Sequence, residues 1–94
     1  AVFYLINDLG PQKIRVDAIS PGPMKTLSGA AIGGARKTFR FTEANTPLRA
    51  NATKASIGGT AVYLASDYGE CTTGETIMVD GGLHILGLPQ PENF

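Results

Sequence analysis

Few residues in this chain are of a kind that does chemistry, and their spacing assembles no catalytic set. His84 is the only histidine and Cys71 the only cysteine, so an intrachain disulfide is impossible and a metal centre is not expected. Cys71 stands beside Thr72 and Thr73 with no base nearby in sequence, and it reads as an unreactive thiol. Glu70, Glu75 and Asp80 are scattered and suggest no carboxylate pair. Ser20, Ser28 and Ser66 lack the context of a nucleophile elbow, and Asn51-Ala52-Thr53 reads as a chance match to a glycosylation sequon. No catalytic residue and no metal ligand is therefore expected here, and His84 takes a structural or interface role. What remains is the stretch Ser20-Pro21-Gly22-Pro23-Met24-Lys25-Thr26. Proline fixes φ and removes a donor, while glycine lets backbone approach a neighbour closely. A strand that runs into such a turn leaves room at its C-terminal end, where open α/β sheets bind ligands.

The elements around that turn follow from periodicity. Val2, Leu5, Ile6 and Leu9 recur at helical spacing and are stopped by Gly10-Pro11. Ile14, Val16 and Ala18 alternate with Arg15 and Asp17, which predicts a strand over Ile14 to Ile19. Thr53 reads as the N-cap of a helix from Lys54 to Ser66, with Ile57, Ala61, Leu64 and Ala65 as its stripe. Gly58 and Gly59 inside that helix are expected to be compensated by close packing on another element. Glu75 to Asp80 forms a short strand ended by Gly81-Gly82. Residues 27–45 carry three glycines, each costing about 1 kcal/mol of helix propensity relative to alanine. Pattern alone reads them as a surface loop, with Arg36 to Asn45 as a possible helical extension.

Helix, short loop and strand in succession is the second half of a β-α-β crossover and implies a parallel sheet. One further strand cannot complete such a sheet, which needs cover on both faces. The chain also starts at Ala1 already in helical register, without an N-cap. It is therefore expected to be the C-terminal part of something longer, neither folded nor active alone. The composition, 43% hydrophobic and 17% charged, is that of an ordinary globular domain. Eight basic residues balance eight acidic ones, which gives no support to a nucleic-acid role. No apolar run approaches the roughly 20 residues that cross a bilayer, and a lone cysteine suits a reducing compartment such as the cytoplasm.

Four stretches together resemble the C-terminal half of the short-chain dehydrogenase/reductase family. They are Ile14 to Gly22, Thr46-Pro47-Leu48-Arg49, Ala61 to Asp67, and Thr73-Gly74-Glu75 through Val79-Asp80-Gly81-Gly82. Within that family Gly22 to Leu27, the small-residue run to Arg36 and the tail beyond Gly82 are most similar to the bacterial enoyl-acyl-carrier-protein reductase branch. The resemblance implies an α/β fold, the C-terminal portion of a Rossmann-type doubly wound parallel sheet that is incomplete on its own. Residues 1–94 would be part of one dinucleotide-binding reductase domain whose N-terminal part is absent. It implies an NADH-dependent enzyme of fatty-acid synthesis that delivers hydride to the β-carbon of a trans-2-enoyl-acyl-carrier-protein thioester. A cytoplasmic homotetramer is implied as the assembly, with no nucleic-acid or membrane partner.

Carried over to this sequence, Pro21, Gly22, Pro23 and Met24 would line the nicotinamide end of the cofactor. Thr26 would bond toward its pyrophosphate or carboxamide, with Leu27 packed alongside. Ser28, Ile32 and Ala35 would border the acyl pocket, and the segment around them would be a mobile lid rather than a plain loop. The tyrosine and lysine of the family's chemistry would precede the first helix and are not in this chain. Gly22→Val is expected to lower cofactor affinity more than stability, because its side chain would project toward the nicotinamide. Asp17 stands where the family usually has asparagine, so the amide's donors are lost there. A 3-oxoacyl-thioester reductase or other short-chain dehydrogenase is the alternative activity, and an inactive Rossmann-like assembly module is the alternative of another class.

Overall fold

The protein is described from a computed structural model, which covers residues 2–24 and 33–87. Helix α1 (Val2–Leu9) passes into a 3-10 turn, Gly10–Gln12, and the chain reverses at Lys13, whose φ is 64°. Strand β1 (Ala18–Pro21) follows, then helix α2 (Gly33–Asn45), helix α3 (Lys54–Ala65), a 3-10 turn at Asp67–Gly69, strand β2 (Thr76–Val79) and a last 3-10 turn at Leu83–Ile85. The two strands pair in parallel, with Ala18 opposite Thr76 and Pro21 opposite Val79. A parallel pair needs a crossover, and α3 supplies the helix that packs on both strands.

The strand begins later and ends later than the alternation predicts. Over residues 14–17 one backbone bond toward β2, from the Gly74 amide to the Val16 carbonyl at 2.9 Å, is joined by side-chain bonds. Thr73 Oγ1 accepts from the Val16 amide at 3.2 Å, and Asp17 Oδ1 accepts from the Glu75 amide at 3.1 Å. Asp17 also pairs with Arg15 at 3.7 Å, and Arg15 reaches on to the carbonyl of Thr72. The carboxylate thus serves as an acceptor that joins the approaches to both strands, and the donors an asparagine would carry are not called on. At the other end the ladder continues through Pro21. Ala18 and Gly22 donate to Glu75 and Val79. Donors alternate along a strand, so the nitrogen of Pro21 points away from β2 and its missing hydrogen costs nothing there.

Helix α3 carries the predicted cap. The Thr53 hydroxyl accepts from the Ser56 amide at 3.0 Å while the Ser56 hydroxyl accepts from the Thr53 amide at 2.9 Å, a reciprocal capping box. The expected close packing at Gly58 and Gly59 is not found among the described residues: a methyl group at either would meet nothing within 4 Å. Of residues 27–45, read from pattern as a surface loop with Arg36 to Asn45 as a helical extension, the stretch Gly33–Asn45 is helical, so the extension is borne out and starts three residues earlier. Its buried face is polar, which is why hydrophobic periodicity missed it. Thr42 is 3% exposed, and Asn45 and the following Thr46 are fully buried.

Candidate functional site

The two strands end side by side, so the residues after them, Gly22 and Asp80, meet at one end of the sheet. The Gly22 amide donates to Val79 at 3.0 Å. A Cβ on Gly22 would lie 3.0 Å from the Asp80 Cβ and 3.1 Å from its Cα. The Gly22-Pro23-Met24 turn therefore rests directly on Asp80, with all three residues half-buried. A Cβ on Gly22 would be tight against Asp80 itself, so Gly22→Val has a stability cost that arises within this chain besides any contact with a ligand. Overpacking of this kind costs about 1–3 kcal/mol. Gly22→Val is expected to lower melting temperature and nucleotide affinity together, read by thermal unfolding and nucleotide titration of the same full-length protein.

Asp80 is 7% exposed, and its carboxylate is bonded throughout. It accepts from the Gly82 amide at 2.9 Å and the His84 amide at 3.2 Å, and the His84 Nδ1 lies 3.1 Å from both oxygens. Burial alone raises its pKa. The hydrogen bond from the His84 ring, the Gly82 amide, the charge on His84 and the His84 amide together outweigh this and hold it below the usual carboxylate value. A group lowered in the folded state contributes stability above its unfolded pKa. That contribution is lost as pH falls through the lowered folded value.

Behind Asp80, the two glycines lock onto the 46–50 loop. Gly81 and Gly82 adopt φ of 67° and 94°, a region that glycine enters without strain. Leu48 donates to the Gly81 carbonyl at 3.0 Å, and the Pro47 ring covers Gly82. The Thr46 hydroxyl closes this loop, bonding the Ala50 amide at 3.0 Å and its carbonyl at 3.1 Å. The loop is tied in turn to α2. Asn51 donates to the Phe39 carbonyl at 2.8 Å, and the Thr42 hydroxyl sits between Asn51 Oδ1 and the carbonyls of Thr38 and Phe39. Asn51 thus ties the loop to α2. Met24 faces a cavity of about 420 Å³ that Phe39, Glu43, Arg49 and Lys54 also border.

Of the residues assigned to a cofactor, Pro21, Gly22, Pro23 and Met24 are brought together at the strand ends. Thr26 and Leu27 lie outside the described residues, as do Ser28 and Ile32 from the acyl-pocket set. Ala35 falls in the first turns of α2. His84 makes an intramolecular contact, as a structural role requires. The sequence reading passed over Asp80, which it weighed only as half of a carboxylate pair. The signal available was an aspartate and a histidine four residues apart around two glycines. Glycines let a backbone fold back on a side chain, and that spacing lets it close a ring. Among the described residues no group of three histidine, cysteine, aspartate or glutamate side chains could hold a metal ion, and no helix is long and apolar enough to cross a membrane.

The family model described as Enoyl-(Acyl carrier protein) reductase matches residues 1–84. The chain is 49% identical over 87 residues to the NADH-dependent enoyl-[acyl-carrier-protein] reductase FabI of Bacillus cereus, covering 93% of this chain and 34% of that protein. It is 46% identical over 85 residues to the NADPH-dependent FabI of Staphylococcus aureus, covering 90% and 33%. The crystal structure of the enoyl-(acyl-carrier-protein) reductase of Anaplasma phagocytophilum in complex with NAD superposes with a TM-score of 0.88 at 47% identity, over 95% of this chain and 34% of that one. The chain spans about a third of the length of these relatives.

Proposed function

The chain belongs to the enoyl-(acyl carrier protein) reductase family, and from that premise we propose that it works as the C-terminal third of a reductase acting on trans-2-enoyl thioesters of acyl-carrier protein. The observation that carries this reading is the placement of the Pro21–Met24 turn at the C-terminal end of two parallel strands, the ligand end of a doubly wound sheet. Glycine at 22 keeps that wall thin, and its half-buried neighbours Pro23 and Met24 present apolar surface against which a planar ring can lie.

The cofactor in this reading is NADH, which supplies the hydride. The residues of this chain hold and orient. Pro21, Gly22, Pro23 and Met24 form the wall of the nicotinamide site, with Thr26 and Leu27 continuing it. Ser28, Ile32 and Ala35 border the acyl chain. No residue of this chain acts as proton donor, which leaves that role and the binding of the nucleotide phosphates to the preceding part of the protein. In this reading residues 27–45 are a lid that opens for a long acyl chain and then excludes water, and the cavity beside Met24 is bordered by Phe39 and Glu43 of α2. The reading includes a cytoplasmic homotetramer. Val62 is 68% exposed and Gly58 and Gly59 are unopposed, so α3 has a bare face that a larger assembly would cover.

The test is NADH consumption by the full-length protein with a crotonyl thioester against an acetoacetyl thioester, repeated with NADPH. Preference for the crotonyl substrate is expected. Preference for acetoacetyl would reassign the chain to a 3-oxoacyl reductase, and failure to bind either nucleotide would make it an assembly module.

A further inference from the structure

We propose that Asp80 is a positioning residue for the nucleotide wall: closed onto Gly82 and His84, it holds the end of β2 as the floor on which Gly22 rests. This rests on reading the Gly22-Pro23-Met24 turn as part of the nucleotide site. Asp80 itself has no free oxygen to offer a ligand, because its carboxylate, 6% exposed, is engaged by residues 82 and 84. What it presents to Gly22 is its Cα and Cβ, close enough that a Cβ on Gly22 would be tight against both.

The direction of the Asp80 backbone therefore sets the height of the turn. That direction is held by a ring of bonds from the carboxylate back to the chain two and four residues later. On the far side the backbone has no slack. The Ala50 carbonyl lies against Gly81 and the Pro47 ring against Gly82, closer than any side chain would tolerate. The Ala50 carbonyl and the Pro47 ring close off residues 81 and 82, so opening the carboxylate ring lets the Asp80 backbone shift against Gly22. The displacement then reaches Pro23 and Met24. Pro23 and Met24 belong to the proposed nucleotide wall, so the loss falls first on nucleotide binding.

Three variants of the full-length protein test this. Asp80→Asn keeps the shape and removes the charge. His84→Ala removes the ring donor alone. His84→Asn returns an N–H close to the position of the imidazole Nδ1. Asp80→Asn and His84→Ala are expected to raise the KM for the nicotinamide nucleotide roughly tenfold, as loss of a charge-assisted hydrogen bond allows, with kcat little changed. His84→Asn restores the wild-type KM. Amide hydrogen exchange at Gly22, followed in the same proteins, should quicken in Asp80→Asn and His84→Ala and return in His84→Asn. Exchange that quickens at residues 82–84 but not at Gly22 would overturn the proposal. So would a fall in kcat that tracks melting temperature at constant nucleotide KM. If the wild-type protein bound no nucleotide, the functional reading would fall, and the Gly22 exchange would still decide whether Asp80 holds the turn.

Discussion

Residues 1–94 expressed alone are expected to show no cooperative thermal transition and no reductase activity. The reason lies in what the described part of the chain leaves uncovered. Ala52 is the one buried hydrophobic residue among those described, whereas Phe3 and Tyr4 are each 79% exposed and Leu48 is 75% exposed. Hydrophobic burial is the dominant favourable term in folding, worth about 1.5–3 kcal/mol for each large side chain removed from water. Here that contribution is almost wholly unspent, while the conformational entropy of every ordered residue, about 1–2 kcal/mol for the backbone, still opposes folding. The sheet has the same deficit. Two parallel strands have one partner each, and parallel sheets are stable when buried on both faces. Calorimetry and near-ultraviolet circular dichroism of the isolated chain should show a broad, non-cooperative melt. The same chain joined to the first two thirds of a relative such as the Bacillus cereus reductase should melt as one unit and consume NADH. A sharp single transition from the isolated chain would refute the expectation.

Gly81→Val is expected to be the most damaging single substitution. At φ of 67° a β-branched residue is strained by about 1–3 kcal/mol. Its Cβ would also be driven against the Ala50 carbonyl oxygen, a backbone atom held by the Thr46 hydroxyl and unable to swing aside. With overpacking added, the loss is on the order of 4 kcal/mol, and for a protein of the relatives' size a fall in melting temperature of roughly 10 °C. Gly10→Ala is the control, because a methyl group there meets nothing within 4 Å. It should change the melting temperature of the full-length protein by no more than about 2 °C. Equal effects at both positions would mean that the 46–50 loop does not hold Gly81 as described.

Both effects, like the placement of the turn, divide the chain into what was legible and what was not. Helix α3 was legible to its cap, because a threonine and a serine three residues apart satisfy the free amides of a helix start using only their own neighbours. Helix α1 was legible from four apolar residues and a Gly-Pro stop. Strand β1 was legible as a strand but displaced in its boundaries. Its edges depend on the acceptor that Thr73 supplies and the donors that Gly74 and Glu75 supply, and these lie nearly sixty residues away. Helix α2 was legible only as a helical extension from Arg36 to Asn45 of a segment read as loop, since the face it buries is built from Thr42 and Asn45, which are polar and gain their value only from partners such as Asn51 and the Phe39 and Phe41 carbonyls.

The same division runs through the turn at Pro21–Met24. Sequence by itself determined that a rigid, side-chain-poor turn follows an apolar run, that another strand ends in Asp80-Gly81-Gly82, and that the set resembles a reductase. Those are short-range properties: ring closure in proline, the missing Cβ of glycine, the spacing of apolar residues. Only the tertiary structure decided that Gly22 is small because Asp80 lies beneath it, and that Asp80 is held by His84 rather than standing free. The close approach of Gly22 to Asp80, 58 positions apart, is fixed when the crossover closes. No local pattern carries that distance, because it is set by everything packed between the two strands.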